Sequence, residues 1–253
     1  MRRQHNLQIC EIKRSVDNLE KTSRQPSWDK RAIRTIWFDY YGTLVDVGQP
    51  FAKIEEWFSS FLRQSNAKCP PHDFFMRFSR ERAKQLHQET FALGEAVLRQ
   101  SYLRTCDRYH VKPWTAEFQR FITALFTMPK AYPSAMYVVD VLRKRYRVGL
   151  LTNADNKILL ESITSQGFLF DFIVTSENAK ANKPDPRIFH MAMELAGGFP
   201  EQMVMIGDSF AEDIQPAQDM GMQTLWVKTD DRAIAERTGN SVPELREILQ
   251  YLR

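Results

Sequence analysis

Beyond Pro133 the chain alternates short apolar, β-branched runs with longer stretches of helical periodicity, and this rhythm constrains the fold most. The pattern predicts helices over 134–145, 155–166, 185–196, 213–220 and 243–252. Between them fall strands over 147–152, 172–175, 203–206 and 223–227. Gly167, Gly197-Gly198 and Gly221 stop three of the helices. A further strand is expected upstream, where Ile33-Arg34-Thr35-Ile36-Trp37-Phe38 runs into Asp39. Strands joined through helices of this length form βαβ units, hence a parallel sheet covered on both faces. In such sheets ligands bind outside the carboxyl ends of the strands.

The intervening residues 50–130 hold no convincing strand. Helical periodicity is expected over 51–62, 73–93, 95–109 and 115–127, broken by Pro70-Pro71, Gly94, Pro113 and Pro129. Gly48-Gln49-Pro50 has the composition of a hinge leading into this helical insertion.

Residues 1–31 differ again. They hold eight Lys or Arg against four Asp or Glu, which accounts for the whole net charge of +4. A basic tail of this kind can touch nucleic acid or an acidic membrane. Yet Ile9, Ile12, Val16 and Leu19 follow helical spacing, and Pro26 ends the stripe. A docked surface helix, on the body or on a sister chain, is the plainer reading. The neutral remainder gives no footing for a nucleic-acid enzyme.

The expected strand ends carry the chemistry. Asp39 follows the first strand, Thr152-Asn153 the second, Lys183 the third after a short loop, and Gly207-Asp208-Ser209 with Asp213 the fourth. A carboxylate there can act as a nucleophile. A second carboxylate beside it invites a hard divalent cation. A lysine and a hydroxyl can bind the oxygens of a transferring group. Taken singly, Asp39 could accept turn amides, Thr152 and Asn153 could cap a helix, and Lys183 could be solvated. Asp208 could be a turn residue and Asp213 a helix N-cap. Converging at successive strand ends, they read as one site.

In this order the residues resemble the four motifs of the haloacid dehalogenase (HAD) superfamily. Asp39-Tyr40-Tyr41-Gly42-Thr43-Leu44 is similar to the first, Leu150-Leu151-Thr152-Asn153 to the second and Lys183-Pro184 to the third. Gly207-Asp208-Ser209 through Asp213 is similar to the fourth. The resemblance covers about residues 32–230. It implies an α/β, Rossmann-like three-layer core over 32–47 and 131–253, a helical cap over 48–130, and 1–31 as an extension outside both. It further implies that Asp39 is the nucleophile, assisted by Thr152 and Lys183. Thr43 and Asn153 would join those two in contacting substrate. Mg²⁺ would be held by Asp39, Asp208 and the carbonyl of Tyr41, with Asp213 and Ser209 as supports behind them.

One position departs from that pattern. Most phosphatases of the superfamily carry an acid two residues after the nucleophile, where this chain has Tyr41. A phenol with an ordinary pKa near 10 is a poor acid–base catalyst at neutral pH. Asp-x-Tyr-Gly-Thr also resembles the 2-haloacid dehalogenases, in which halide leaves without a proton and no metal is needed. Asp208 points back to the phosphatases, since true dehalogenases carry a serine-type residue there. The expected activity is Mg²⁺-dependent hydrolysis of a small phosphorylated metabolite. The alternatives are a metal-independent dehalogenase, or a regulatory protein that keeps the pocket without turnover. A phosphonate-cleaving variant would need a cap lysine such as Lys84 or Lys53.

Other features carry less. His5, His72, His87, His110 and His190 show no zinc spacing, although His87 and His110 could supply a proton from the cap. Arg77, Arg80, Arg82 and Lys84 cluster on one expected helix and could meet an anionic substrate or simply face water. Trp37, Trp57 and Phe58 read as packing residues. Three cysteines without paired spacing, no stretch of about 20 apolar residues and no signal-like start lead to the expectation of a cytoplasmic enzyme. Its partner would be a small-molecule substrate, not nucleic acid or membrane, with a homodimer through the N-terminal helix or cap as a further expectation.

Overall fold

The structure is a computed structural model describing residues 29–46, 48, 50–86, 90–227 and 241–252. The expected helix over residues 9–19, Pro26, Cys10, His5 and His87 lie outside the described residues.

The chain enters through β1 (Thr35–Phe38) and a two-residue strand β2 (Val45–Asp46). Four helices follow: α1 (Pro50–Gln64), α2 (Pro71–Leu86), α3 (Gly94–Arg108) and α4 (Thr115–Thr127). The chain returns through β3 (Lys130–Ala131), which pairs antiparallel with β2. Departure and return therefore lie side by side.

The alternating half then adds α5 (Ala135–Arg143), β4 (Arg147–Thr152), α6 (Asn156–Gln166), β5 (Phe172–Thr175) and α7 (Ser176–Ala179). It continues with α8 (Pro186–Ala196), β6 (Met203–Gly207), α9 (Gln215–Asp219), β7 (Gln223–Val227), β8 (Ser241–Val242) and α10 (Ile248–Leu252). The sheet order is β5-β4-β1-β6-β7-β8, parallel throughout. β1 thus lies between β4 and β6, which brings Asp39, Thr152 and Asp208 to one edge.

The period of two along β1 divides the core. Ile36 and Phe38 pack with Val148, Leu150, Val204 and Ile206 beneath α5, α6 and α10. Trp37 points to the opposite face, with Leu151, Val174, Met205 and the α8 residues Ile188 and Phe189. A separate cluster fills the helical insertion, where Phe58, Phe61, Phe74, Phe78, Tyr102 and Phe118 are buried around the half-buried Trp57. Each such ring contributes on the order of 2 kcal/mol of burial free energy. Trp37, Trp57 and Phe58 are accordingly packing residues.

Several boundaries differ from the sequence pattern. The helix expected over 73–93 ends at Leu86, and residues 90–93 are non-helical. Gly94, expected as a break, is instead the first residue of α3. The helix expected over 213–220 begins earlier, as a wide turn over Phe210–Ile214, because the Ser209 side chain caps it by accepting from Glu212 N at 3.2 Å. The two-residue strands β2, β3 and β8 and the single turn α7 have too little sequence to carry a period.

Candidate active site

Asp39 emerges from β1 with its backbone N–H donating to Ile206 O at 2.9 Å. That bond continues the β1–β6 ladder and fixes where the carboxylate begins. The carboxylate is buried, and two donors meet the same oxygen: Thr152 Oγ1 to Oδ1 at 3.0 Å and Lys183 Nζ to Oδ1 at 2.8 Å. Oδ2 accepts no hydrogen bond from the described residues. Lys183 also donates to Asp213 Oδ1. Burial alone would lower the Lys183 pKa, but Asp213 and Asp39 outweigh it and hold the ammonium protonated.

Asn153 positions the lysine. Its Oδ1 accepts from Lys183 N at 2.7 Å, while its Nδ2 donates to Lys183 O at 3.2 Å and to Glu212 Oε2 at 3.3 Å. Asp213 Oδ2 accepts from Ser209 N at 3.1 Å. A Cβ at Gly207 would collide with the Asp213 carboxylate, so a residue without a side chain lets that carboxylate close on the strand end.

Asp208 approaches from the other side. Thr43 Oγ1 donates to its Oδ1 at 2.9 Å, and Trp226 Nε1 donates to its backbone O at 2.9 Å. Gly42 sits at φ +94°, and a Cβ there would stand 2.5 Å from Asp208 Oδ2. The turn Asp39–Leu44 thus needs its glycine twice, for its shape and for room. Oxygens of Asp39, Asp208 and Asp213 all lie within 4.8 Å of one another. Opposite ligands of an octahedral Mg²⁺ stand about 4.2 Å apart, so this all-oxygen set fits such an ion with small adjustments.

Tyr41 makes its side-chain hydrogen bond outside this cluster. Its hydroxyl donates to Phe126 O at 3.0 Å, at the end of α4, and its ring packs edge-on against Tyr40 and Phe126. Burial, reinforced by the charges of Asp155 and Asp39, pushes the phenol well above its ordinary pKa. It therefore stays protonated and committed to the helical insertion.

All nine residues expected at the site are brought to this strand edge, where the side chains of Thr43 and Ser209 serve Asp208 and the following turn. A cavity of about 590 Å³ opens above, between the strand ends and the helices; Tyr41, Asn153 and Lys183 line it from below and Arg82 and Gln85 from above. Of the four basic residues on α2, Arg77 and Lys84 pair with buried Glu81, Arg80 is exposed, and Arg82 reaches this cavity. Among the described histidines none lines it.

Sequence reasoning missed Asp155. It precedes α6 like an N-cap, but its carboxylate accepts from Gly94 N and Glu95 N, each at 2.8 Å, and so caps α3 across the cavity. Only its position two residues beyond Asn153 could have marked it.

A family model described as a haloacid dehalogenase-like hydrolase matches residues 33–221, and the chain belongs to that family of hydrolases. It is 31% identical over 132 residues to a glyceraldehyde 3-phosphate phosphatase of Methanothermobacter thermautotrophicus, covering 49% of this chain and 58% of that protein. The chain thus spans little more than half the length of that relative. With the glyceraldehyde 3-phosphate phosphatase of Pyrococcus furiosus it shares 25% over 236 residues, 87% of this chain and 94% of the other. Among solved structures, the magnesium-bound HAD-hydrolase YfnB of Bacillus subtilis superposes with TM-score 0.67 at 19% identity, covering 87% and 98% of the two chains. The L-2-haloacid dehalogenase of Xanthobacter autotrophicus gives 0.64 at 16%, covering 86% and 97%. These likenesses show a shared fold.

Proposed function

We propose that the protein is a divalent-cation-dependent phosphohydrolase acting on a small phosphorylated metabolite. The observation that carries this is Asp208, held beside Asp39 and Asp213 by Thr43 and by the space at Gly42. Three converging carboxylates, with Lys183 ion-paired to two of them, repel one another at a cost that a cation would relieve. Asp39, Asp208 and the Tyr41 carbonyl would hold Mg²⁺, whose charge would help neutralise the phosphoryl oxygens.

Asp39 Oδ2 attacks phosphorus, the P–O bond to the leaving group breaks, and an aspartyl phosphate forms. Thr152 and Lys183 hold Oδ1, which fixes the carboxylate plane and leaves Oδ2 to react. Lys183 offsets charge that gathers on the transferring group. Water then opens the acyl phosphate, releasing inorganic phosphate and restoring the carboxylate. Tyr41 has its proton engaged by Phe126 O, so leaving groups that depart as stable anions are favoured. The relatives named as phosphatases agree with this chemistry.

Tyr41 also favours a second reading, dehalogenation of a haloacid through an ester on Asp39, because halide needs no proton. One comparison separates them. Phosphate release from an aryl phosphate, abolished by chelator and restored by Mg²⁺, is the expected result. Stoichiometric halide release from a haloacid with chelator present would overturn it. Binding of Mg²⁺ and phosphate without turnover of either substrate would instead indicate a regulatory protein. We further propose that residues 48–130 form a substrate-selecting cap and that the enzyme works in the cytoplasm.

A further inference from the structure

Among the described residues, four basic side chains line the cavity above Asp39, and they are not equivalent. Lys183 is engaged by Asp39 and Asp213. Arg187 is exposed and pairs with Asp185 at 2.8 Å. Lys180 is exposed at the rim, over the ring of Phe91. Arg82 is half-buried, its guanidinium 4.8 Å from the centre of the Phe51 ring. Among the described residues it has no carboxylate within ion-pair distance.

Among the described residues, the carboxylates lining the cavity are each engaged. Asp155 accepts from the first amides of α3, Glu95 from Gln119, Asp185 from Arg187 and Glu212 from Asn153. A guanidinium taken partly out of water without a counter-charge is costly. Burial in fact lowers the Arg82 pKa, with only the more distant charge of Glu212 opposing it. The planar fork of donors suits a carboxylate or a phosphate, and the stacked ring keeps it oriented. A volume of about 590 Å³ admits a small metabolite spanning from Lys183 to Arg82.

We propose that Arg82 is a second anion subsite, binding a carboxylate or a second phosphate carried by the substrate away from its scissile phosphoryl group. This rests on the phosphohydrolase reading above. The preferred substrates are then phosphomonoesters with two anionic ends, not neutral sugar or alcohol phosphates.

The test compares phospholactate with isopropyl phosphate, which differ by a carboxylate in place of a methyl. The wild type favours phospholactate in kcat/KM, and Arg82→Gln lowers that preference about 10- to 100-fold, mainly through KM. Arg82→Lys gives an intermediate preference, and Arg80→Gln, an exposed change on the same helix, leaves it unchanged. Propanediol bisphosphate identifies the anion: stronger Arg82 dependence than phospholactate assigns a phosphate, weaker a carboxylate. Equal preferences in wild type and Arg82→Gln, with melting temperatures matched, overturn the subsite. If no phosphate ester is hydrolysed, the phosphohydrolase reading fails separately. Calorimetric titration of both compounds then decides: an Arg82-dependent difference in Kd keeps the subsite, and equal Kd values remove it.

Discussion

The hydroxyl of Tyr41 donates to the carbonyl of Phe126, so the residue two places beyond Asp39 is fastened to the last turn of the four-helix insertion. Tyr41→Phe is expected to lower stability by about 1 kcal/mol while aryl phosphate turnover stays within a few-fold. Tyr41→Asp supplies an acid at that position, and alkyl phosphates are expected to gain at least tenfold against aryl phosphates. Steady-state rates on the two ester classes check both. A Tyr41→Phe variant that loses alkyl turnover selectively would show that the phenol already protonates the leaving group.

Cation binding has a readout independent of turnover. On the proposed reading, Mg²⁺ held by Asp39, Asp208 and the Tyr41 carbonyl would stabilise the folded state by mass action, and the melting temperature is expected to rise with added Mg²⁺. In Asp208→Asn the rise is expected to need at least tenfold more Mg²⁺. A melting temperature indifferent to Mg²⁺ in the wild type removes the cation from the account.

Asp155 ties the sheet to the insertion through two backbone amides. Its removal leaves the first turn of α3 without side-chain acceptors, since Leu93 before it offers none. Asp155→Ala is expected to cost about 1–2 kcal/mol and to speed amide exchange at Gly94 and Glu95 before any change in the sheet. Hydrogen-exchange mass spectrometry resolves the two regions. Uniform acceleration across both would contradict a local role.

Alkaline pH tests the buried phenols. Burial raises Tyr40 from 10.0 to about 12, against the weaker pull of its Ser162 hydrogen bond, and it raises Tyr41 and Tyr102 further. Unfolded phenols titrate near 10, so the folded state holds these protons more tightly. Their contribution is complete below about pH 10 and disappears as pH rises through about 12 and beyond. Denaturation midpoints should therefore decline from about pH 10 up through about pH 12, with part of the tyrosine absorbance lagging behind. Titration of all eight tyrosines near 10 would refute the burial described here.

The sheet was legible in the sequence because its strands are short apolar runs buried on both faces, as at 147–152 and 203–206, while glycines such as Gly167 and Gly197 stop the helices between them. Asp39, Thr152, Lys183 and Asp208 were legible because a parallel sheet sends successive strand ends to one edge. Arg82 was not separable from Arg77 and Lys84, because periodicity places all of them on α2 without saying which meets Glu81 and which the cavity. Asp155 was hidden for a related reason. An aspartate before a helix is read as that helix's own cap, and only tertiary structure shows the amides it serves.

The pairing of β2 with β3 has an architectural consequence. Across an antiparallel pair the backbones stand about 5 Å apart, so the insertion departs after Asp46 and returns at Lys130 at nearly one point. Such a join can be bridged by a tight turn. Whatever replaces the insertion, long or short, need only supply two adjacent ends, so the reacting centre can be inherited intact while the roof above it is rebuilt.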